Sequence, residues 1–102
     1  MILYKTLTIL SEPLVVDTYG PQVGIVQFIG EGSSCLCNYI VIDRHDVKLI
    51  NEILLNFTGK ISDFEVERDD EIVVIKKGVS FIIISDIKRI KDQLEPFIGH
   101  RI

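Results

Sequence analysis

The sequence contains no alanine and no tryptophan, and it has only two cysteines and one methionine. Isoleucine, valine and leucine together fill more than a third of the positions, whereas leucine and alanine usually lead in soluble domains. A genome rich in AT favours isoleucine and lysine over alanine. We therefore predict an archaeal or archaeal-viral source for this chain.

Long apolar runs are also missing. The longest one, 79–84, is interrupted by Ser80 and falls far short of the ~18 residues that span a bilayer. The N-terminus has no basic region followed by an apolar stretch and a small-residue cleavage site, which is the pattern of a secretory signal. We expect a soluble, cytoplasmic protein without membrane contact.

The two cysteines, Cys35 and Cys37, are too close in sequence to form the disulfide framework of a small secreted domain. On a strand, side chains two residues apart share a face, so both sulfurs could reach one metal ion or oxidise together. A structural zinc site needs four ligands, and the only histidines are His45 and His100. We favour two buried apolar side chains, and we predict no metal and no cofactor.

Charge and composition restrict the classes of protein further. The net charge is −4 and the pI about 5.0, which is not the footprint of a general phosphate-binding protein. With 102 residues, 47% apolar and 25% charged, the chain can fold a core, so disorder of the whole chain is excluded. We predict one domain, 1–102, made of two similar halves, 1–59 and 60–102.

Two segments of the chain match each other at a shift of about 40 residues, which is typical of an internal repeat. Each predicts a helix with an aspartate in its first turn, an apolar stripe and a glycine at its end. The matched pairs are Asp46 with Asp86, Val47 with Ile87, Ile50 with Ile90, Leu54 with Leu94, Phe57 with Phe97, and Gly59 with Gly99. His45 and Ser85 stand at the predicted N-caps, and Pro96 is expected to end or bend the second helix.

Each predicted helix follows three segments that favour strands, separated by turn residues. These segments are 3–10, 23–29 and 39–42 in the first half and 61–67, 72–75 and 81–84 in the second half. Short connections make neighbouring strands antiparallel. We predict an α+β fold with the duplicated order βββα-βββα: a mostly antiparallel sheet of about six strands with two helices on one face.

Strands 72–75 and 79–84 are apolar at both alternate positions, as are Leu36 and the segment 39–42, which indicates two covered faces. Six strands span about 25–30 Å, and two helices, each roughly 10 Å wide, cover only one side of that sheet. The alternative is that the sheet twists and the loop 11–21 folds over it. We predict a homodimer or a subunit of a larger complex, associating through apolar sheet surface or a strand edge. The candidate interface residues are Tyr39, Val41, Val74, Phe81 and Ile83.

A basic cluster in the last third of the chain supports an alternative function, nucleic-acid binding. Its candidate residues are Lys76, Lys77, Lys88, Arg89 and Lys91. The plainer interpretation is a solvated helix surface with charge pairs between Arg89 and Asp92 and between Lys91 and Glu95. The net acidity of the chain disfavours a nucleic-acid partner.

Arg44, His45 and Asp46 combine a base, an imidazole and a carboxylate at a strand-to-helix junction, where sites often occur. Catalysis there would need a pocket that joins His45 to Cys35 or Cys37. No nucleophile stands out, and the turn 30–34 lacks the lysine of a phosphate-binding loop. We predict a non-enzymatic protein-interaction or accessory-subunit domain.

Overall fold

A computed structural model describes residues 8–18, 20–70 and 72–98 of the chain. The strands are β1 (Thr8–Ile9), β2 (Leu14–Asp17), β3 (Gln22–Glu31), β4 (Ser34–Asp43), β5 (Gly59–Ile61), β6 (Phe64–Asp69), β7 (Ile72–Lys77) and β8 (Ser80–Ile84). The helices are α1 (Val47–Ile53) and α2 (Ile87–Leu94), with 3-10 turns at Arg44–Asp46 and Glu95–Phe97. The fold is α+β with antiparallel strands, as predicted. It has two four-stranded sheets instead of one sheet of about six strands, and it does not confirm the duplicated βββα order.

The first sheet is built on β3, the central strand. Both β1 and β2 pair with one edge of β3, and β4 pairs with its other edge along its whole length. The segment 11–21 was predicted as a loop, yet it contains β2. Pro13 cannot donate to a ladder, and both Leu10 N and Ser11 N donate to Phe28 O, so the edge strand is interrupted and then resumes. Residues 3–7 of the predicted first strand lie outside the described residues.

The second sheet has the order β5-β6-β7-β8, with each strand antiparallel to the next. The segment 61–67 was predicted as one strand, but a turn at Ser62 and Asp63 divides it into β5 and β6. Ser62 has a φ of 54°, a left-handed conformation that suits a tight hairpin. The turn at Gly78, with a φ of 64°, lies where the sequence predicts it.

The two helices begin at matched positions, because Asp46 and Asp86 each directly precede the first helical residue. The predicted N-caps, His45 and Ser85, are therefore wrong by one residue. Asp86 has an extended backbone, and its carboxylate accepts a hydrogen bond of 3.2 Å from Arg89 N. Asp46 is already in a helical conformation after the 3-10 turn and makes no side-chain cap.

The ends of the helices also differ from the predicted repeat. Helix α2 gives way to the 3-10 turn that contains Pro96, as predicted. Helix α1 ends at Ile53, so Gly59 does not terminate it but begins β5. Gly99, the matched position, lies outside the described residues. None of the described helices is long and apolar enough to cross a bilayer.

The main core draws on both predicted halves of the chain. Its buried residues come from β3, β4, β6, β7, β8 and both helices, and burial of each large aliphatic side chain stabilises the fold by about 1.5–3 kcal/mol. Arg68 on β6 reaches across to the end of α1, where its guanidinium donates to the carbonyls of Ile53, Leu54 and Phe57 at 3.1, 2.8 and 3.0 Å. The carbonyl of Ile53 also accepts from Phe57 N at 3.2 Å, whereas Arg68 supplies the donor for the carbonyls of Leu54 and Phe57, which follow the helix C-terminus where such groups usually lack partners.

The two sheets meet through Gln27, a fully buried polar residue on β3. Its Nε2 donates to the carbonyl of Ile83 at 2.6 Å, and its Oε1 accepts from the N–H of Ile83 at 2.7 Å. Ile83 lies on β8, whose other edge pairs with β7. The amide of Gln27 thus takes the place of a neighbouring strand, so the second sheet meets the face of the first sheet with its edge.

A smaller cluster of buried residues lies on the far side of this junction. Ile29 from β3 packs with Val74 from β7 and Ile83 from β8, and Ile9, Ile72 and Phe81 pack against them. Strands β7 and β8 are therefore covered on both faces by the chain itself. This explains why their sequences are apolar at both alternate positions.

Candidate protein interaction surface

Side chains alternate between the two faces of the first sheet, because successive residues of a strand point in opposite directions. On β3, Val23, Ile25, Gln27 and Ile29 face the core. The even-numbered residues of β3 lie opposite the odd-numbered residues of β4, as in the pairs Val26 with Tyr39 and Phe28 with Cys37. We call the side away from the core the outer face. Its apolar members and glycines are Leu14, Val16, Gly24, Val26, Phe28, Gly30, Cys35, Cys37, Tyr39 and Val41, and the polar residues Thr8, Gln22 and Asp43 lie on the same side at its ends.

The outer face is largely apolar and much of it is exposed, although the side chain of Leu10 lies over Gly30 at one end. Leu14, Phe28 and Tyr39 keep 53%, 46% and 41% of their surface exposed, although they are large apolar or aromatic residues. The charged residue on this side of the paired strands β3 and β4 is Asp43, which lies at one end of the face opposite Gln22. The face is formed by β3, by β4 and by the interrupted edge strand that β1 and β2 make along residues 23–30 of β3. Three rows spaced ~4.8 Å apart and about eight residues long give roughly 400 Å². An exposed apolar patch of that size often marks an interaction site.

Tyr39 is held against the sheet at the centre of the outer face. A Cβ atom on Gly24 would lie 2.5 Å from Tyr39 Oη and 2.6 Å from Tyr39 Cε1. The ring therefore lies directly over the backbone of Gly24, which is two residues along β3 from Val26, the residue that pairs with Tyr39. The absence of a side chain at Gly24 sets the position of Tyr39 before any partner binds.

The five predicted interface residues are divided between the surface and the interior. Tyr39 and Val41 lie on the outer face. Val74 and Ile83 are buried in the small cluster with Ile29, and Phe81 is half-buried beside it, so Val74 and Ile83 offer no surface to a partner. The sequence analysis expected a second copy or another protein to cover Val74 and Ile83. The first sheet of the same chain covers them instead, through Ile29.

Several outer-face residues were missed by the sequence analysis. Cys35 and Cys37 share a face, as predicted, but both are exposed, so the prediction that they are buried is wrong. Leu14 and Phe28 were not singled out either. The segments 23–29 and 39–42 form a hairpin, in which the outer-face residues alternate with the buried ones along each strand. This alternation is the sequence signal that could have found them.

The basic side chains of the second hairpin do not form a common surface. Lys76 and Lys77 are adjacent on β7 and so point to opposite faces. Lys76 Nζ lies 2.6 Å from Glu67 Oε2, whereas Lys77 Nζ donates to the carbonyl of Val41 at 2.8 Å and lies 5.6 Å from the ring centre of Phe64. Both ammonium groups have partners within the protein.

Two of the basic residues of α2, Lys88 and Lys91, also have local partners. Lys91 Nζ donates to Asn51 O at 2.7 Å and to Asn51 Oδ1 at 2.6 Å, which joins the two helices. Lys88 pairs with Asp92 at 3.6 Å, and Arg89 borders a shallow hollow together with Asp86 and Asp92. The five candidate residues for nucleic-acid binding therefore do not converge on one positive patch.

The junction of β4 and α1 is organised by Arg44. Its guanidinium pairs with Asp17, donates to the carbonyls of Gly20 and Thr18 at 3.1 and 3.3 Å, and lies 5.3 Å from the ring centre of Phe97. These contacts fasten the loop after β2 to the end of β4. Arg44 thus has a structural explanation.

His45 beside Arg44 is 80% exposed. Ligand atoms of Asp43, His45 and Asp46 lie within 4.8 Å of one another, a grouping that is common on surfaces without a metal. Cys37 lies six strand residues before Asp43, or roughly 20 Å away along β4. The structure therefore does not join the cysteines to His45 in one pocket.

No protein-family model matches the chain, and neither does any curated protein or solved structure. The function has to be inferred from the geometry of the described residues.

Proposed function

We propose that this protein is a small non-enzymatic interaction domain that associates with a second copy of itself through the outer face of the first sheet. The observation that supports this proposal is a largely apolar sheet face on which Leu14, Phe28 and Tyr39 are exposed and whose charged residue, Asp43, lies at one end. The groups of residues that would favour catalysis or nucleic-acid binding are not brought together.

The size of the outer face sets the strength of association that we expect. Two copies that stack by this face remove about 800 Å² from water, which is worth roughly 20 kcal/mol at 25 cal/mol per Å². Association costs about 4–15 kcal/mol in lost freedom and side-chain ordering. The remainder of roughly 5–16 kcal/mol corresponds to a dissociation constant of about 0.2 mM at the weakest, and the area lies below the roughly 1,200–2,000 Å² of a standard interface.

Sedimentation equilibrium over a range of protein concentrations tests the proposal. The average mass should rise with concentration above that of the 11.6 kDa monomer. Phe28→Lys places an ammonium at the centre of the outer face and should weaken association about a hundredfold, equivalent to ~3 kcal/mol. The matched control is Leu55→Lys, because Leu55 is 62% exposed but lies after α1, away from the outer face.

A wild-type protein that stays monomeric at every concentration would overturn the proposal. Equal weakening by Phe28→Lys and Leu55→Lys would also count against it, because the outer face would then have no special role.

A further inference from the structure

Three of the outermost strands in the described part of the chain have protected edges. On β2, Gln93 Oε1 accepts from Val15 N at 2.8 Å. On β8, the amide of Gln27 pairs with Ile83. Strand β5 has only three residues, with Lys60 in the middle. Short length, a lysine and side-chain cover are the usual devices that stop an edge strand from pairing with another chain.

The free edge of β4 has none of these devices over residues 35–39. The hydrogen bond from Arg44 N to Pro21 O shows which residues of β4 bond to β3, since these alternate along an antiparallel ladder. Cys35, Cys37 and Tyr39 are the intervening residues, so their N–H and C=O groups point away from β3. Among the described residues, none bonds to these backbone groups. The segment 35–39 contains no charge and no proline.

We propose that a second copy pairs with this edge, β4 against β4, in an antiparallel arrangement centred on Cys37. This deepens the proposed function and rests on it. Cys37 then lies opposite the partner's Cys37, and Cys35 lies opposite the partner's Tyr39. Every outward backbone group meets an outward group of the other copy, which gives about six hydrogen bonds. Residues 35–39 carry no charge. Pairing of this segment with its copy therefore places no like charges opposite each other, although the chain has a net charge of −4.

A hollow at the end of this edge accommodates the partner's hairpin turn. It has a volume of about 660 Å³, and Tyr39, Val41, Lys77 and Gly78 are among the residues that line it. In the proposed register the partner's Gly32 and Ser33 reach this position, and both are small. Pairing would stop there, because Lys77 Nζ already bonds to the carbonyl of Val41.

Edge pairing also doubles the apolar surface. The two outer faces become one continuous surface of roughly 800 Å², which is the usual area per partner in a stable interface, whereas one copy offers about half of that. Two edge-paired dimers stacked by this surface form a tetramer in which every copy uses both its edge and its outer face.

Cross-linking with a short bis-maleimide tests the register, because the chain has only two cysteines. Cys35→Ser leaves Cys37, whose Cα atom should lie ~5.5 Å from that of the partner's Cys37. Cys37→Ser leaves Cys35, which should lie about 14 Å from the partner's Cys35 along the strands. Both variants are studied together with Phe28→Lys, so that stacked faces cannot bring the thiols together. Efficient cross-linking of Cys37 alone supports the register, whereas equal or reversed yields overturn it.

Amide hydrogen exchange distinguishes this inference from the proposed function. The N–H groups of Cys35, Cys37 and Tyr39 lie in the plane of the sheet, so stacking of faces alone leaves them open to water. Edge pairing should slow their exchange roughly tenfold when partner copies exceed the dissociation constant tenfold, and Phe28→Lys should remain a dimer. Fast exchange with a monomeric Phe28→Lys refutes edge pairing but leaves the face proposal intact. A monomeric wild type refutes both.

Discussion

The hydrogen bonds of Gln27 determine how the two sheets meet, and Gln27→Met tests their contribution. Methionine has a similar length and volume, so the substitution leaves little cavity. The substitution removes the two hydrogen bonds, of 2.6 and 2.7 Å, between the Gln27 amide and the backbone of Ile83. It also removes a longer hydrogen bond, of 3.3 Å, from the Gln27 amide to the carbonyl of Ser11. An N–H and a C=O are then buried without partners.

The expected loss follows from the cost of those two groups. Each buried polar group left unsatisfied costs about 1–3 kcal/mol, so Gln27→Met should lower the free energy of unfolding by roughly 2–6 kcal/mol. For a chain of this size each kcal/mol lowers the melting temperature by about 4–8 °C. The matched control is Gln22→Met on the same strand, since the amide of Gln22 is exposed and bonds only to Asp43 at 3.3 Å.

Urea unfolding followed by circular dichroism measures both variants. Gln22→Met should change the midpoint very little, whereas Gln27→Met should lower it strongly at an unchanged slope. A loss of less than 1 kcal/mol in Gln27→Met would show that Ile83 finds other partners, and the proposed role of Gln27 at the junction would be wrong.

Three further predictions concern Tyr39, Arg68 and the basic side chains. Gly24→Ala should displace the ring of Tyr39, cost about 1–3 kcal/mol in urea unfolding and weaken self-association. Gly30→Ala, on the same strand and face, should do neither, because its Cβ meets Leu10 at an ordinary 3.5 Å. Arg68→Met leaves the carbonyls of Leu54 and Phe57 after α1 without their donor and should cost roughly 2–3 kcal/mol; an equal loss in the exposed control Arg89→Met would contradict this explanation. In mobility-shift assays at low salt we expect no binding to DNA or RNA, and binding that falls steeply with salt would favour the nucleic-acid alternative.

Local patterns predicted much of the secondary structure. The antiparallel hairpins, the turn at Gly78 and, to within one residue, the positions at which both helices begin were predicted, because they depend on neighbours in sequence. The turn that divides 61–67 was not predicted. Phe64 and Val66 are buried after this turn, and apolar and polar residues alternate there as they would in one continuous strand. The duplicated order was inferred from the helices, but the edge strands of the two halves are arranged differently.

The sequence by itself determined that this protein has more apolar strand than its two helices can cover, because alternation reveals which residues share a face. Only the tertiary structure decided which face stays open. The contact between Gln27 and Ile83 spans 56 residues, and it places the second sheet edge-on against the first. Val74 and Ile83 are thereby covered from within, while Phe28 and Tyr39 remain exposed. Periodicity gives the direction of a side chain along its own strand, but which distant segment packs against it is settled only when the whole chain has folded.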